Sequence, residues 1–384
     1  MIKRASAAFL LALAPLSGLA QRQKPEAAQR VTAEQLSAVL TANAGKDDGQ
    51  IAAELSNLQL TERLAAGQRS RLTAGLPGEK SQQAMAILAD SAALLQPAED
   101  EIVSNPAPDG ASLRKMLVAM VTYANSTLHQ FPNFIASRAT TAFEDRPQED
   151  VLEPTGTVSY SYVPLHFVHR EKAAVTYRDG HEILDASGKV HESSASPRGL
   201  ETTGEFGPFL STVLADAVKG KITWARWEHG IDGTDAVFHY EVPKSASHYK
   251  VQFCCIREDA FESIATHIYS EATAYHGEFA FNPATGAVQR ISVEAELTPG
   301  EVVESAGIVV DYAPVKIGAK AVILPVRSVS ILRAHTTAPP AGMRMAVYKG
   351  PAKTFLNETA FENYRQFRGE MRMITDQDAG ASKP

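Results

Sequence analysis

Two runs of alternating apolar and polar residues, joined by a short turn, occupy residues 275–297. The apolar positions are Tyr275, Gly277, Phe279 and Phe281 in the first run and Ile291, Val293, Ala295 and Leu297 in the second. A period of two is typical of β-strands with one buried and one solvated face. Between the runs, Pro283 fixes its own φ and Gly286 tolerates a positive φ, as a type I turn closing on a left-handed residue requires. Because an isolated hairpin is unstable in water, the chain must supply further strands.

The periodicity of apolar residues divides the rest of the chain into helical and strand regions. Helical spacing extends to Pro97 and returns from Leu113 to Leu128. After Pro132 the period is two, except for a helical stretch at Phe206 to Val218. Besides the hairpin, strands are predicted at residues 133–143, 156–169, 173–177, 181–184, 222–228, 236–242, 248–257, 302–312, 320–334 and 354–367. We therefore predict an α+β protein: a small N-terminal helical unit followed by a large, strongly curved antiparallel sheet, unclosed and barrel-like, with helices covering its concave side.

Capping signals mark the helices of the N-terminal part. Thr32 and Gln35 form a capping box before the first helix, and Asp48 and Thr61 are expected to cap the second and third. A fourth helix is predicted from about Ser81 to Leu95, and a linker rich in Pro, Asp and Ala follows it. The expected division of the chain is a signal peptide at 1–20, a helical region at 21–105 and a β-rich domain at 106–384.

The first twenty residues have the three parts of a secretory signal peptide. Lys3 and Arg4 make a basic start, Ala7 to Leu16 an apolar run, and residues 18–20 a small-residue end. The apolar run is too short for a membrane anchor. We expect cleavage after Ala20 and export to the periplasm or the extracellular space. No later segment is apolar enough to span a bilayer, so no transmembrane segment is expected.

The charge balance argues against two classes of partner. Lys and Arg number 37 and Asp and Glu number 44, which gives a formal charge of −7. Removal of Lys3 and Arg4 with the signal peptide leaves 35 − 44 = −9 for the mature chain. An acidic surface without a basic run makes nucleic-acid and anionic-lipid partners unexpected.

The two cysteines, Cys254 and Cys255, are neighbours in the sequence VQFCCIR. Adjacent residues on a strand point to opposite faces, so a bond between them needs a distorted backbone. Two separate thiols and a strained vicinal disulfide both remain compatible with the sequence. In either case the stability of this exported chain depends on its core rather than on a disulfide framework.

Motifs for catalysis and metal binding are missing from the sequence. It contains no HExxH, CxxC, glycine-rich phosphate loop or Gly-x-Ser-x-Gly. His166 and His169 lie three apart on a predicted strand and so on opposite faces, which excludes simple chelation by the pair. The other histidines are scattered singly along the chain. We therefore expect a protein that is not an enzyme and has no cofactor and no metal.

Aromatic and branched residues on the predicted strands form the best candidate for a binding site. The candidate ligand-binding residues are Trp224, Phe238, Tyr240, Phe279, Phe281, Ile291 and Val293. Trp224 is in phase with Ile222, whereas Trp227 is expected on the opposite face of its strand. These residues are either ordinary sheet core or the lining of an apolar cavity between a curved sheet and its covering helices.

From about Ser112 onward the order of elements resembles the periplasmic lipoprotein-carrier and lipoprotein-receptor superfamily. The shared features are a long helix, a run of antiparallel strands, an inserted helix and further strands. The hairpin sequence GEFAFNPATGAVQRI is also similar to a strand, Asn/Asp-Pro-x-Thr-Gly turn and strand common in that superfamily. The resemblance leaves the helical segment before Pro97 without a counterpart, and no site motif can be matched residue by residue. It implies an apolar ligand, such as an acyl chain or apolar peptide, on the concave face, or a sensor of misfolded envelope proteins.

Three functions remain open. The first is a non-enzymatic binder or carrier of an apolar ligand, such as a lipid or an acyl chain, in the cell envelope. The second is a structural, protein-interaction or sensor module with a filled core, whose partner would be an envelope protein. The third is an enzyme whose residues converge only in the fold. A cavity would favour the first over the second, and a tight His, Asp and Glu cluster inside it would favour the third.

Overall fold

A computed structural model describes residues 28–130, 133–148, 161–178, 181–183, 200, 208–260, 263–318, 320–337 and 349–366 of the chain. Some sequence-based predictions concern other residues. The signal peptide at 1–20 with its cleavage site after Ala20, residues 156–160 of a predicted strand and residues 206–207 of the predicted helical stretch all lie outside the described residues.

Six α-helices lie within these ranges. They are α1 (Ala33–Ala42), α2 (Asp48–Ser56), α3 (Ala66–Ala74), α4 (Glu79–Ser91), α5 (Gly110–Gln130) and α6 (Pro208–Ala217). The first four, with the parallel pair β1 (Gln29–Val31) and β2 (Leu58–Leu60), make a helical unit that we define as residues 29–96. The helical unit has its own apolar core, which includes Leu36, Ile51, Leu55, Met85 and Leu88.

Strands account for most of the remaining described chain. They are β3 (Ile102–Val103), β4 (Phe134–Gln148), β5 (Ser161–Arg178), β6 (His181–Ile183), β7 (Lys221–Gly230), β8 (Gly233–Val242), β9 (Lys250–Ala260), β10 (Ser263–Ala272), β11 (Ala274–Phe281), β12 (Val288–Glu296), β13 (Val303–Ile317), β14 (Lys320–Thr337) and β15 (Lys349–Gln366).

Eleven of these strands form one antiparallel sheet in the order β3-β7-β8-β11-β12-β13-β14-β15-β4-β5-β6. The sheet is open, with β3 and β6 at its edges among the described residues, and the last strand returns to pair with the first long one, β4. Strands β9 and β10 form a separate two-stranded ribbon. The predicted α+β class and the large, unclosed antiparallel sheet are therefore confirmed.

The strand predictions differ from the structure at β5 and at four strands that were not predicted. Residues 156–169 and 173–177 were expected to form two strands, but residues 161–178 are the single strand β5. The charged residues Arg170 to Lys172 break the alternation in sequence, yet the backbone there continues to pair with β4. The four strands that were not predicted are the short strands β1, β2 and β3 and strand β10. Strand β10 pairs with β9, which contains the neighbouring Cys254 and Cys255.

The predicted turn of the hairpin is confirmed in detail. Gly286 has a φ of 76°, and its amide donates to the carbonyl of Asn282 at 2.8 Å. The Asn282 side chain accepts bonds from the amides of Ala284 and Thr285, which fixes the turn locally. A register shift after Ala280 provides the extra residue of a bulge.

Two of the predicted helix caps are wrong. Thr32 and Gln35 do form the capping box of α1, but the cap of α2 is Asp47, which accepts from the amide of Gln50 at 2.9 Å. Asp48 instead reaches across to the start of α4, where it accepts from the amides of residues 80 and 81. It supplies a cap that Gly78, which has no side chain, cannot give.

Thr61 does not cap a helix. It follows β2, and both its amide and its hydroxyl donate to the carbonyl of Val31 on β1. Helix α3 begins five residues later, at Ala66, and its first turn has no side-chain cap. The hydroxyl of Thr61 therefore extends the pairing of the two short strands.

Gly286 is also the point at which the sheet meets α5. A Cβ atom built on Gly286 would collide with the carbonyl oxygen of Ala119 and would lie 2.7 Å from the amide nitrogen of Met120. Both atoms belong to the backbone of α5, which cannot move aside as a flexible side chain can. The absence of a side chain at this position thus allows the helix to rest directly on the turn.

We predict that Gly286→Ala destabilises the protein more than Gly300→Ala. Gly300 also has a positive φ, 93°, but a Cβ there would meet no heavy atom within 4 Å. The left-handed conformation costs both variants about 1 kcal/mol, and the collision with α5 should add about 1–3 kcal/mol at Gly286. Urea unfolding of the two variants measures the difference. Equal losses of stability in the two variants would contradict the close contact between α5 and the turn.

Candidate functional site

The seven residues predicted to bind a ligand lie together on one face of the sheet, which we call the apolar face. Six of them are at most 1% exposed, and Trp224 is half-buried. The six are Phe238, Tyr240, Phe279, Phe281, Ile291 and Val293. They share one cluster with residues of α5 and α6, so the structure brings the predicted set together beneath two helices.

Stacked aromatic rings form the floor of this cluster. The rings of Phe238 and Phe281 stack with centroids 5.6 Å apart, and those of Tyr240 and Phe279 stack at 4.4 Å. The Tyr240 hydroxyl donates to the carbonyl of Ser292 at 2.6 Å, so its polar atom is satisfied within the sheet. The floor is therefore apolar across β8, β11 and β12.

Helices α5 and α6 form the roof. The buried roof residues are Met116, Met120 and Ala124 on α5 and Leu210, Val213, Leu214 and Ala217 on α6. Unbranched methionine side chains adapt to irregular spaces more readily than other apolar residues. The contact surface that α5 presents to the aromatic floor is thus adaptable rather than rigid.

The prediction for Trp227 is wrong. A register shift between Trp224 and Arg226 inserts an extra residue into β7, so both tryptophans turn toward the same cluster. Their rings meet edge to face with centroids 4.8 Å apart. Both are half-buried, and the Trp227 indole donates to the carbonyl of Pro106 at 3.0 Å. The tryptophan pair therefore borders the apolar cluster next to the segment that leaves the helical unit.

Asp216, at the end of α6, fastens this helix to its surroundings. Its fully buried carboxylate accepts from the Tyr275 hydroxyl at 3.0 Å and from the amide of His248 at 2.7 Å. The Nδ1 atom of His248 lies 2.6 Å from the other carboxylate oxygen, while two-thirds of the imidazole is exposed. These bonds join α6 to β11 and to the start of the β9–β10 ribbon.

The opposite face of the sheet carries charged residues, and the helical unit covers part of it; we call it the charged face. Glu278 and Arg290 occupy polar positions of the two alternating runs, and the alternation predicts that this side of the hairpin is solvated. The prediction is wrong for these two residues. Arg290 donates to the carbonyl of Ala93 at 2.7 Å, and Arg226 binds both oxygens of Glu278 at 2.7 Å. The charges are paired beneath the helical unit rather than hydrated.

One half of this charge system is centred on Asp90 of α4, whose side chain is fully buried. Its Oδ1 atom contacts Arg327 on β14 and lies 3.1 Å from Arg69 on α3. Arg69 and Arg327 both bind Glu358 on β15, and Arg327 also binds Asp311 on β13 at 3.2 Å. Helix α4 is thus tied to three adjacent strands.

The other half is centred on Glu228 of β7. Its carboxylate contacts Arg63 of the helical unit and Arg226 of its own strand, and the side chains of Arg63 and Glu228 are each only 8% exposed. Arg226 continues the system to Glu278 on β11, next to Arg290 on β12. We call the two halves together the ionic network. Its members are Arg63, Arg69, Arg226, Arg290, Arg327, Asp90, Glu228, Glu278, Asp311 and Glu358.

Burial and pairing shift the pKa values of several network members. Burial raises the pKa of Asp90 to about 6, against the opposing charge of Arg327. Burial also acts to raise the pKa of Glu358, but the charges of Arg69 and Arg327 outweigh it and hold that pKa below its usual value. Glu278 behaves in the same way because of Arg226. Burial lowers the pKa of Arg290 to about 10, so the guanidinium stays charged at neutral pH.

Two further results bear on function. No helix in the described part of the chain has both the length and the apolarity needed to cross a bilayer. Within the same residues, no three His, Cys, Asp or Glu side chains are grouped so that they could hold a metal ion.

Comparisons with protein-family models, curated proteins and solved structures found no match for this chain. The apolar cluster and the ionic network are therefore the observations from which its function can be inferred.

We predict that Arg327→Met costs about 3–5 kcal/mol of stability, because it leaves Asp90, Asp311 and Glu358 without their shared partner. The matched control is Lys46→Met, which removes a cation from the exposed pair with Glu54. Exposed pairs contribute less than about 1 kcal/mol. Urea unfolding of both variants measures the difference. A similarly small loss of unfolding free energy in each would show that the network does not contribute to stability.

Proposed function

We propose that this protein is a non-enzymatic binding protein of the cell envelope that takes up an apolar ligand between the apolar face and helices α5 and α6. The observation that carries the proposal is the apolar layer formed by the aromatic floor and the methionine-containing roof. A lipid chain or another slender apolar molecule has the chemistry that such a layer attracts.

The edge of the cluster supports the same proposal. Trp224 and Trp227 are half-buried there, so a ligand that enters beneath α5 would meet them first. The roof can change shape at low cost because Met116 and Met120 are flexible. Uptake would therefore displace apolar side chains without leaving a polar group of the floor unpaired.

The curvature of the sheet is also part of this proposal. We propose that the sheet is strongly curved, with the apolar face concave, as in the periplasmic lipoprotein-carrier and lipoprotein-receptor superfamily that its element order resembles. Export, with the signal peptide removed after Ala20, would place the protein where envelope lipids and apolar peptides occur. The helical unit would be an added, separable domain.

A structural or protein-interaction module with a filled core is the alternative, and one observation favours it. Six of the seven candidate ligand residues are at most 1% exposed, as in a packed core. In this case α5 and α6 would be permanent parts of the domain, and a partner protein would bind elsewhere.

We predict that Phe281→Ala weakens the binding of an apolar fluorescent probe about tenfold, since a buried phenylalanine contributes about 1.5–3 kcal/mol of apolar contact. The matched control is Phe134→Ala. Phe134 is as deeply buried as Phe281 but belongs to a different cluster, beside Tyr177. The Phe134→Ala variant should lose stability but bind the probe as tightly as the wild type.

The outcome for the wild-type protein separates the two functions. A filled core predicts no probe uptake by the wild type and a loss of about 3–5 kcal/mol in both variants. That result would exclude the binding function and leave the interaction module. Native mass spectrometry of protein purified from an envelope is the complementary measurement, because a bound lipid would add its mass.

A further inference from the structure

The ionic network is also the contact by which the helical unit is held on the sheet. Three of its ten members, Arg63, Arg69 and Asp90, come from the helical unit, and the other seven come from the sheet. The apolar contacts between the two are few by comparison: Ala93 and Leu94 pack beside Val309, Val329 and Ile331. The helical unit has an apolar core of its own, to which Leu36, Leu55 and Met85 belong. Its attachment is therefore governed by charge.

The charges of the network balance as a whole. Five arginines face five carboxylates, so the formal sum is 5 − 5 = 0. Arg290 on β12 stands opposite Asp311 on β13, so the two halves of the network meet across neighbouring strands. Of the five carboxylates, Asp90 alone has a side chain with no exposed surface, and its charge is therefore the one that a bound proton relieves most.

Asp90 is the residue best placed to accept this proton. Its Oδ1 atom is used by both arginines, but its Oδ2 atom is buried and has no hydrogen-bond partner among the described residues. A buried anionic oxygen without a donor is costly, and protonation removes its charge. The groups that face Asp90 are Arg69 from α3, Asp311 from β13, Arg327 from β14 and Glu358 from β15.

We propose that the ionic network is a pH-sensitive latch: the helical unit binds the sheet more tightly as the pH falls from neutral to mildly acidic, because Asp90 takes up a proton in the docked state. Docking of the helical unit would be weaker at neutral or alkaline pH. This device lies on the charged face, and it does not depend on whether the apolar face binds a ligand.

The direction follows from linkage between protonation and docking. The pKa of Asp90 is about 6 when docked, against 3.8 for a free carboxyl, so the docked state binds more protons between these values. Between pH 7.5 and pH 5.5 the docking equilibrium should shift about fourfold toward the docked state. Glu278 and Glu358 act in the opposite direction, but their pKa values are lowered and they titrate at more acidic pH.

The test is urea unfolding of the full-length protein at pH 7.5 and pH 5.5, followed by far-ultraviolet circular dichroism and tryptophan emission. The emission of Trp227 should report on release of the helical unit from the sheet. Its indole binds Pro106, in the segment that follows the unit, and its neighbour Glu228 binds Arg63 of the unit. Asp90→Asn imitates the protonated form, and Glu54→Gln removes an exposed carboxylate from the same unit as a control.

Burial also raises the pKa of Asp235, which lies beside Glu228 on the sheet, to about 7, so the resistance of every variant to urea should rise between pH 7.5 and pH 5.5. We expect the rise in the wild type and in Glu54→Gln to exceed the rise in Asp90→Asn by about fourfold. A wild type that becomes less resistant at pH 5.5, or an Asp90→Asn variant with the wild-type rise, would overturn the latch. Should Asp90→Asn fail to fold, a carbon-13 titration of the Asp90 carboxyl in the wild type decides instead. A midpoint about 6 supports the proposal, and one below about 5 overturns it.

Discussion

The pairing of buried charges between the helical unit and the sheet is the interaction on which the arrangement of this protein depends. Arginines on β7, β12 and β14 alternate with carboxylates on β11, β13 and β15, so opposite charges stand side by side across the sheet. Covering such a surface with apolar residues would leave charges unpaired. The helical unit can cover it because Arg63, Arg69 and Asp90 complete the pairs.

The two faces of the sheet therefore make different kinds of contact. The apolar face packs under α5 and α6, and Gly286 lets the backbone of α5 lie directly on the hairpin turn. The charged face holds the helical unit through pairs whose strength varies with protonation. A ligand on one face and a change of pH on the other would act on separate parts of the same strands, since neighbouring residues of β11 and β12 point to opposite sides.

The sequence predicts the parts of this structure whose signals are local. Alternation identifies the hairpin, and the Pro283 to Gly286 turn follows from backbone chemistry. The ionic network could not be predicted from local signals, because Arg63 and Glu228 are 165 residues apart in sequence and Asp90 and Arg327 are 237 apart. A charged residue on the polar side of a strand is indistinguishable in sequence from a solvated one. Likewise, the bulge that turns Trp227 toward Trp224 shifts the alternation by one residue, which periodicity alone does not reveal.

A double-mutant cycle on Arg63 and Glu228 tests the central claim most directly. Each side chain is 8% exposed, and their contact joins the helical unit to β7. If the network holds the two parts together, urea unfolding of Arg63→Met, Glu228→Gln and the double variant should give a coupling energy of about 2 kcal/mol or more. A coupling below about 0.5 kcal/mol would contradict the account, because the helical unit would then be held by something other than its charges.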